Sequence, residues 1–243
     1  MPFYVGLDLG QAADYTALAV VQSVAEKNPD SGHIQKYLHL RHLERYELGT
    51  SYPEIADKVV ALMRDERLSP NEYDPSRLRV FRGTPQLIVD DTGVGRAVAD
   101  LLKSKGLRFK ALTITGGDEV HAVGGGRYRV PKRDLVGALE VPFHTGRLKI
   151  AEGMELWPAL KKELLSFRRK INLKTAHDSY EHWRESDHDD LVLAAALACW
   201  WITYRRGRRG VRFLNAEQTA RELAAEHRQK AEELMTGKRE ERT

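Results

Sequence analysis

Apolar residues along this chain come in short blocks broken by glycine, proline and polar turns, and the spacing inside each block predicts its element. Tyr4-Val5-Gly6-Leu7-Asp8-Leu9-Gly10 is an apolar run that turns on a glycine, and Asp14-Tyr15-Thr16-Ala17-Leu18-Ala19-Val20-Val21 returns from it. Residues 3–9 and 15–22 therefore predict a β-hairpin. Residues 37–46 predict a third strand, in which Leu38 and Leu40 alternate but Leu43 breaks the period. From Tyr52 to Arg67 the apolar positions Ile55, Val59, Val60, Leu62 and Met63 have helical spacing, and Pro53 suits a first turn. Residues 69–85 hold Pro70, Asn71, Asp74, Pro75, Gly83 and Pro85, which predicts a loop around one short strand at most.

Gln86-Leu87-Ile88-Val89-Asp90 predicts a buried strand ending in an acid, and Thr92-Gly93-Val94-Gly95 turns it into a helix through Ala97, Val98, Leu101 and Leu102. Residues 109–115 predict another strand. Gly116-Gly117 and Gly124-Gly125-Gly126 flank a hairpin or flap. A helix from Lys132 to Leu139, a short strand at 148–150 and an amphipathic helix at 156–167 follow. Residues 172–188 are polar and aromatic and predict loops and a strand. From Asp189 to Tyr204 the chain predicts a strongly apolar helix, with alanines at 194, 195, 196 and 198 small enough for close packing on a sheet. Residues 215–235 predict a charged, Ala- and Glu-rich helix, with disorder expected beyond it. This alternation predicts an α/β architecture, a mixed central β-sheet flanked by helices, with a β-hairpin flap and a C-terminal helical tail.

Three of the apolar blocks carry acids where an aliphatic residue would be ordinary: Asp8, Asp90-Asp91 and Asp189-Asp190. An ionised carboxylate in such a place costs several kcal/mol unless a cation or strong donors compensate it. If the two strands are neighbours, Asp8 and Asp90 lie side by side, facing an acid at a helix start, where backbone N–H groups favour the ionised form. Three or four convergent carboxylates are what two-metal phosphoryl transfer needs, and hard oxygen ligands favour Mg²⁺ or Mn²⁺. Each acid also has a plainer role open to it. Asp8 can cap its own turn, Asp90-Asp91 can form a strand-to-helix cap, and one of Asp189 and Asp190 can cap its helix. Asp14 is a fourth carboxylate or a hairpin-turn residue, and His188 is an orienting group rather than a ligand.

Composition narrows the class. With 243 residues, 42% of them hydrophobic and 30% charged, the chain fits a globular protein of one large domain. No apolar run reaches the roughly 18 residues that span a bilayer, and no membrane partner is expected. The single cysteine, Cys199, lies in an apolar run and is expected as a small buried hydrophobe. Net charge is only +4, but basic residues cluster at Arg127-Tyr128-Arg129, Lys132-Arg133 and Arg168-Arg169-Lys170. Basic clusters around an acidic cleft suit a polyanionic substrate. Lys132 is the candidate phosphate contact, and Arg127, Arg129, Arg168 and Arg169 are candidates for tracking a nucleic-acid backbone.

The motifs Asp8-Leu9-Gly10 with Asp14-Tyr15-Thr16-Ala17, Val89-Asp90-Asp91-Thr92-Gly93-Val94-Gly95, Val130-Pro131-Lys132 and His188-Asp189-Asp190-Leu191-Val192-Leu193-Ala194 occur in that order. Together they resemble the C-terminal nuclease domain of the large terminase subunits of tailed bacteriophages, over about residues 3–204. The resemblance implies an RNase H-like (RuvC-like) fold and metal-dependent cleavage of double-stranded viral DNA during packaging. Asp8 and Asp90 match the strand acids, and the helix acid falls on the Asp189-Asp190 pair, with Asp190 as the direct ligand and Asp189 assisting. Asp91 stands where family members often carry a small residue, so the choice between Asp90 and Asp91 stays open. The resemblance further implies two Mg²⁺ or Mn²⁺ ions with DNA bound, and double-stranded DNA as partner. It also implies contacts with a terminase ATPase motor, small subunit and portal, and the cytoplasm of a bacterial host. Residues 1–204 are expected to form the nuclease domain, monomeric in isolation, and 205–243 a basic, charged helical tail. The sequence lacks the Gly-x-x-x-x-Gly-Lys-Ser/Thr loop of an ATPase motor, which suits an excised nuclease domain or a stand-alone relative. The competing readings are a RuvC-like resolvase of branched DNA, an actin- or chaperone-like nucleotide-binding protein, and a non-catalytic packaging module.

Overall fold

The computed structural model describes residues 2–10, 14–29, 32–74, 79–93, 95–173 and 189–207. Of 71–74, 79–82, 96, 167–173 and 206–207 it describes the backbone path alone. β1 (Phe3–Asp8) and β2 (Ala17–Lys27) form the expected hairpin, with Asp8 opposite Ala17. β2 continues antiparallel into β3 (Ile34–Arg45). Between the pairs Val20–His42 and Val21–Leu40 the register slips by one residue, leaving Arg41 as a β-bulge. The bulge explains the broken period of the third strand, because Leu38, Leu40 and Leu43 all bury in one core cluster.

α1 (Tyr52–Met63) starts at Ser51, whose hydroxyl accepts the Glu54 N–H, and carries Pro53 in its first turn. It is shorter than the periodicity predicts. Asp65 accepts the Arg67 N–H at 2.8 Å and starts a separate 3₁₀ turn over Glu66–Leu68. The stretch expected as a loop with one strand at most instead holds two, β4 (Asn71–Asp74) and β5 (Arg79–Arg82), paired as a small separate sheet. Strands this short and polar carry no apolar alternation to announce them.

β6 (Gln86–Asp90) leads into α2 (Gly95–Ser104), β7 (Phe109–Thr115), β8 (His121–Gly124), β9 (Arg127–Pro131) and α3 (Lys132–His144), followed by β10 (Leu148–Ile150), α4 (Trp157–Leu173) and α5 (Asp190–Gly207). The main sheet is eight-stranded, in the order β10-β3-β2-β1-β6-β7-β9-β8. β1, β6, β7 and β9 are parallel, so their C-terminal ends lie along one edge. A hairpin is present, but shifted along the chain: Gly124-Gly125-Gly126 does not flank it but forms the turn between β8 and β9, with positive φ throughout. Residues 174–188 lie outside the described residues, as do 208–243, which contain the predicted 215–235 helix.

Strand alternation divides the core in two. Phe3, Val5, Leu7, Leu87 and Val89 face α1 and α2, whereas Tyr4, Ile88, Leu112, Tyr128 and Val130 face α3, α4 and α5. α5 is buried from Leu191 to Ile202, as a helix apolar on every side must be. Burial pushes the Cys199 thiol up to about 12, in keeping with a small buried hydrophobe. Among the described residues no helix is long and apolar enough to cross a membrane.

Candidate active site

The site begins with a glycine. A Cβ on Gly6 would overlap the Ala194 carbonyl oxygen and stand 3.2 Å from the Ala198 nitrogen, so the backbone of α5 lies directly on β1. From Gly6 to Asp8 is two strand residues, about 7 Å. From Ala194 back to Asp190 is four helix residues, about 6 Å. The close approach thus acts as a common origin, and it brings the acid at the end of β1 level with the acid that starts α5. Asp90 joins them from the next strand, since Leu7 pairs with Val89 and the following residues stand level. Leu7 and Val89 face α1 and α2, so Asp8 and Asp90 face α5.

Asp8, Asp90 and Asp190 are only 7%, 8% and 4% exposed, so solvent does little to screen them. Burial holds the Asp8 carboxyl well above the usual carboxylate range, and the charges of Asp90, Asp189 and Asp190 push it further the same way. The Asp8 and Asp90 carboxyl groups are also within hydrogen-bond reach of each other. Asp90 receives the Thr92 N–H at 2.8 Å, and Thr92 in turn accepts the Ile114 N–H, which fixes the strand-to-helix turn.

Each helix acid meets a cation. Lys132, the first residue of α3, reaches Asp189 Oδ2 at 3.0 Å. Arg45, the last residue of β3, donates from Nε to Asp190 Oδ2 at 2.6 Å and from Nη2 to Glu163. The other Glu163 oxygen accepts the Leu191 and Val192 N–H groups at 3.1 and 3.2 Å, satisfying the first turn of α5. Neither Arg45 nor Glu163 stands out in the sequence reading. For Glu163 a signal exists, an acid on the apolar face of a helix beside Leu160 and Leu164, both of which are buried. Arg45 gives none, because its partners lie 118 and 145 positions away.

Glu163 makes the stability pH-dependent. Burial first and the Asp190 charge second push its carboxyl up to about 7, against the pull of Arg45. The folded chain therefore keeps a proton that the unfolded chain gives up near 4.5, the ordinary value for a glutamate. Stability from this group is full below that value, falls as pH rises toward about 7, and is level above it. The fall is on the order of 3 kcal/mol. Urea unfolding in chelator at pH 5 to 8 should show wild type losing ground to Glu163→Gln by that order. A pH-independent difference would mean that Glu163 ionises normally.

The remaining predicted residues are placed elsewhere or left undescribed. Asp91 is buried and pairs with Arg127 at 2.6 Å. Arg127 and Arg129 alternate with Tyr128 and Val130, which bury toward α5, so both arginines face the opposite side of the sheet from Asp8 and Asp90. Asp14 is exposed. His188 and the side chains of Arg168 and Arg169 lie outside the described residues.

The donor set suits a divalent cation. Asp8, Asp90, Asp189 and Asp190 supply hard carboxylate oxygens, with Lys132 paired to Asp189 and Arg45 to Asp190. Burial and the neighbouring carboxylates together disfavour the ionised form of Asp8. As the side chains stand, no three acidic, histidine or cysteine groups among the described residues are already arranged to hold an ion. The helix acids lean on Lys132 and Arg45 instead.

No family model matches the chain, and no curated protein matches it. Solved structures similar to it include the large terminase nuclease from thermophilic phage G20c, with 18% identity, a TM-score of 0.44 and coverage of 81% of this chain and 80% of that one. The human cytomegalovirus terminase nuclease domain has 14% identity, a TM-score of 0.42 and coverage of 82% of each chain. Thermus thermophilus RuvC has 15% identity, a TM-score of 0.37 and coverage of 84% of this chain and 95% of that one. The strand order of the chain itself, an antiparallel β3-β2-β1 meander continued by parallel β6 and β7 with helices on both faces, is the RNase H-like α/β fold expected from the sequence.

Proposed function

We propose that this chain is a metal-dependent endonuclease that hydrolyses phosphodiester bonds of double-stranded DNA, as a terminase nuclease does in genome packaging. The observation that carries the reading is the convergence of buried Asp8 and Asp90, at the C-terminal ends of parallel strands where α/β sheets commonly hold their ligands, with Asp190 at the start of α5. Asp8 and Asp90 from the sheet, with Asp190 and Asp189 from α5, would hold Mg²⁺ or Mn²⁺. Bound there, the ions would supply activation of the attacking water and stabilisation of the leaving oxygen. The protein's part is to fix the acids on three rigid elements and to exclude water beneath them. Lys132, held beside Asp189 at the mouth of the cluster, offers the positive charge for a backbone phosphate.

Supercoiled plasmid incubated with Mn²⁺ or Mg²⁺ is expected to yield nicked and linear products, with none in chelator. Asp190→Ala is expected to remove the activity while the chain stays folded. A four-way junction offered beside linear duplex separates packaging-type cutting from junction resolution, which would appear as a strong preference for the junction. A folded wild-type chain that neither cuts DNA nor binds Mn²⁺ would refute the proposal.

A further inference from the structure

Asp8, Ala17 and Arg45 stand side by side across β1, β2 and β3, about 10 Å from first to last. Ala17 between them is small and fully buried. The Arg45 side chain leaves the end of β3, with its guanidinium 5.1 Å from the centre of the Tyr15 ring, and divides its fork between two carboxylates on different helices. Nε holds Asp190, and Nη2 holds Glu163. Glu163 is itself locked by the Leu191 and Val192 N–H groups, the two residues that follow Asp190. The loop Arg45, Glu163, α5 backbone and Asp190 is closed, and it leaves the Asp190 carboxylate little rotational freedom.

We propose that Arg45 is a positioning residue that, anchored by Glu163, orients Asp190 so that the oxygen Arg45 does not hold faces the Asp8–Asp90 pair. This rests on the reading of the cluster as a divalent-metal site. Lysine cannot replace it, because an ammonium is one point of charge and lacks the two-pronged geometry.

Positioning and simple charge neutralisation give opposite signs in one measurement. If Arg45 only screens the acids, Arg45→Gln removes a competing positive charge and tightens Mn²⁺ binding, and Arg45→Lys leaves it unchanged. If Arg45 positions Asp190, both variants bind Mn²⁺ about tenfold more weakly, as loss of a group that orients a ligand does. The measurement is titration of the full chain with Mn²⁺ alone, with free ion read by electron paramagnetic resonance, after circular dichroism shows each variant folded. Equal or tighter binding by Arg45→Gln overturns the proposal.

A metal-free arm keeps the two ideas apart. In chelator, urea unfolding of Arg45→Lys, Asp190→Asn and the double variant should show coupling of about fivefold in the unfolding equilibrium constant. Additive effects overturn the proposal whatever the metal result. Coupling in a wild-type chain that takes up no Mn²⁺ would instead sink the metal reading and leave Arg45 as the holder of Asp190.

Discussion

Asp8→Asn is expected to abolish metal-dependent DNA cleavage, by about 10³-fold or more in kcat, while making the metal-free fold more stable. Both effects come from one carboxylate. Asp8 is buried and surrounded by the charges of Asp90, Asp189 and Asp190, and its carboxyl is held well above the ordinary range. Asparagine keeps the shape and removes the charge. The sign depends on pH. An acid whose folded pKa is raised costs nothing at low pH, where both states hold the proton, and costs most once the folded state must ionise too. Near pH 8 in chelator the variant should therefore be more stable than wild type by about 1–3 kcal/mol, and the gain should shrink as pH falls toward 5. Mn²⁺ should raise the melting temperature of wild type and leave the variant nearly unmoved. Equal destabilisation by Asp8→Asn at both pH values would make the carboxylate a structural hydrogen-bonding group and remove the basis of the site.

What could be read in the sequence follows from how local each cause is. Asp8, Asp90 and Asp190 announce themselves because a charge inside an apolar block is anomalous wherever the block ends up. The hairpin, the Ser51-capped helix and α5 are legible for the same reason, since period and capping act over a few residues. Leu43 shows the limit. Its break in alternation is a real signal, but naming it a bulge requires the pairing of β2 with β3. The Arg127-Tyr128-Arg129 cluster looks like a basic surface in one dimension. In the fold, the strand period sends Tyr128 to the α5 side and the two arginines to the other, where Asp91 takes Arg127. Arg45 and Glu163 are legible least, because what they do is set by partners that only the finished sheet and helices bring together.

Gly6→Ala is expected to be strongly destabilising, although it adds a single methyl group. The site's geometry is measured from the contact between Gly6 and α5, and that contact is backbone against side-chain hydrogen. An alanine Cβ would overlap the Ala194 carbonyl oxygen and crowd its carbon at 3.0 Å. Neither atom can rotate away, because both belong to a helix buried from Leu191 to Ile202 among the residues of α3, α4 and the sheet. The chain must lift α5 or bend β1, and overpacking of this kind costs about 3 kcal/mol or more. For a domain of this size that corresponds to a fall of roughly 6–12 °C in Tm. Any lift also carries Asp190 away from Asp8, so the folded fraction that remains should bind Mn²⁺ more weakly than wild type. Trimming Ala194 to glycine should give no rescue, because the obstruction is main chain and not the Ala194 methyl. A Gly6→Ala chain that melts within about 2 °C of wild type, a shift worth 1 kcal/mol or less, would mean that α5 rides higher over β1 than described, and with it the level placement of Asp8 and Asp190 would fail.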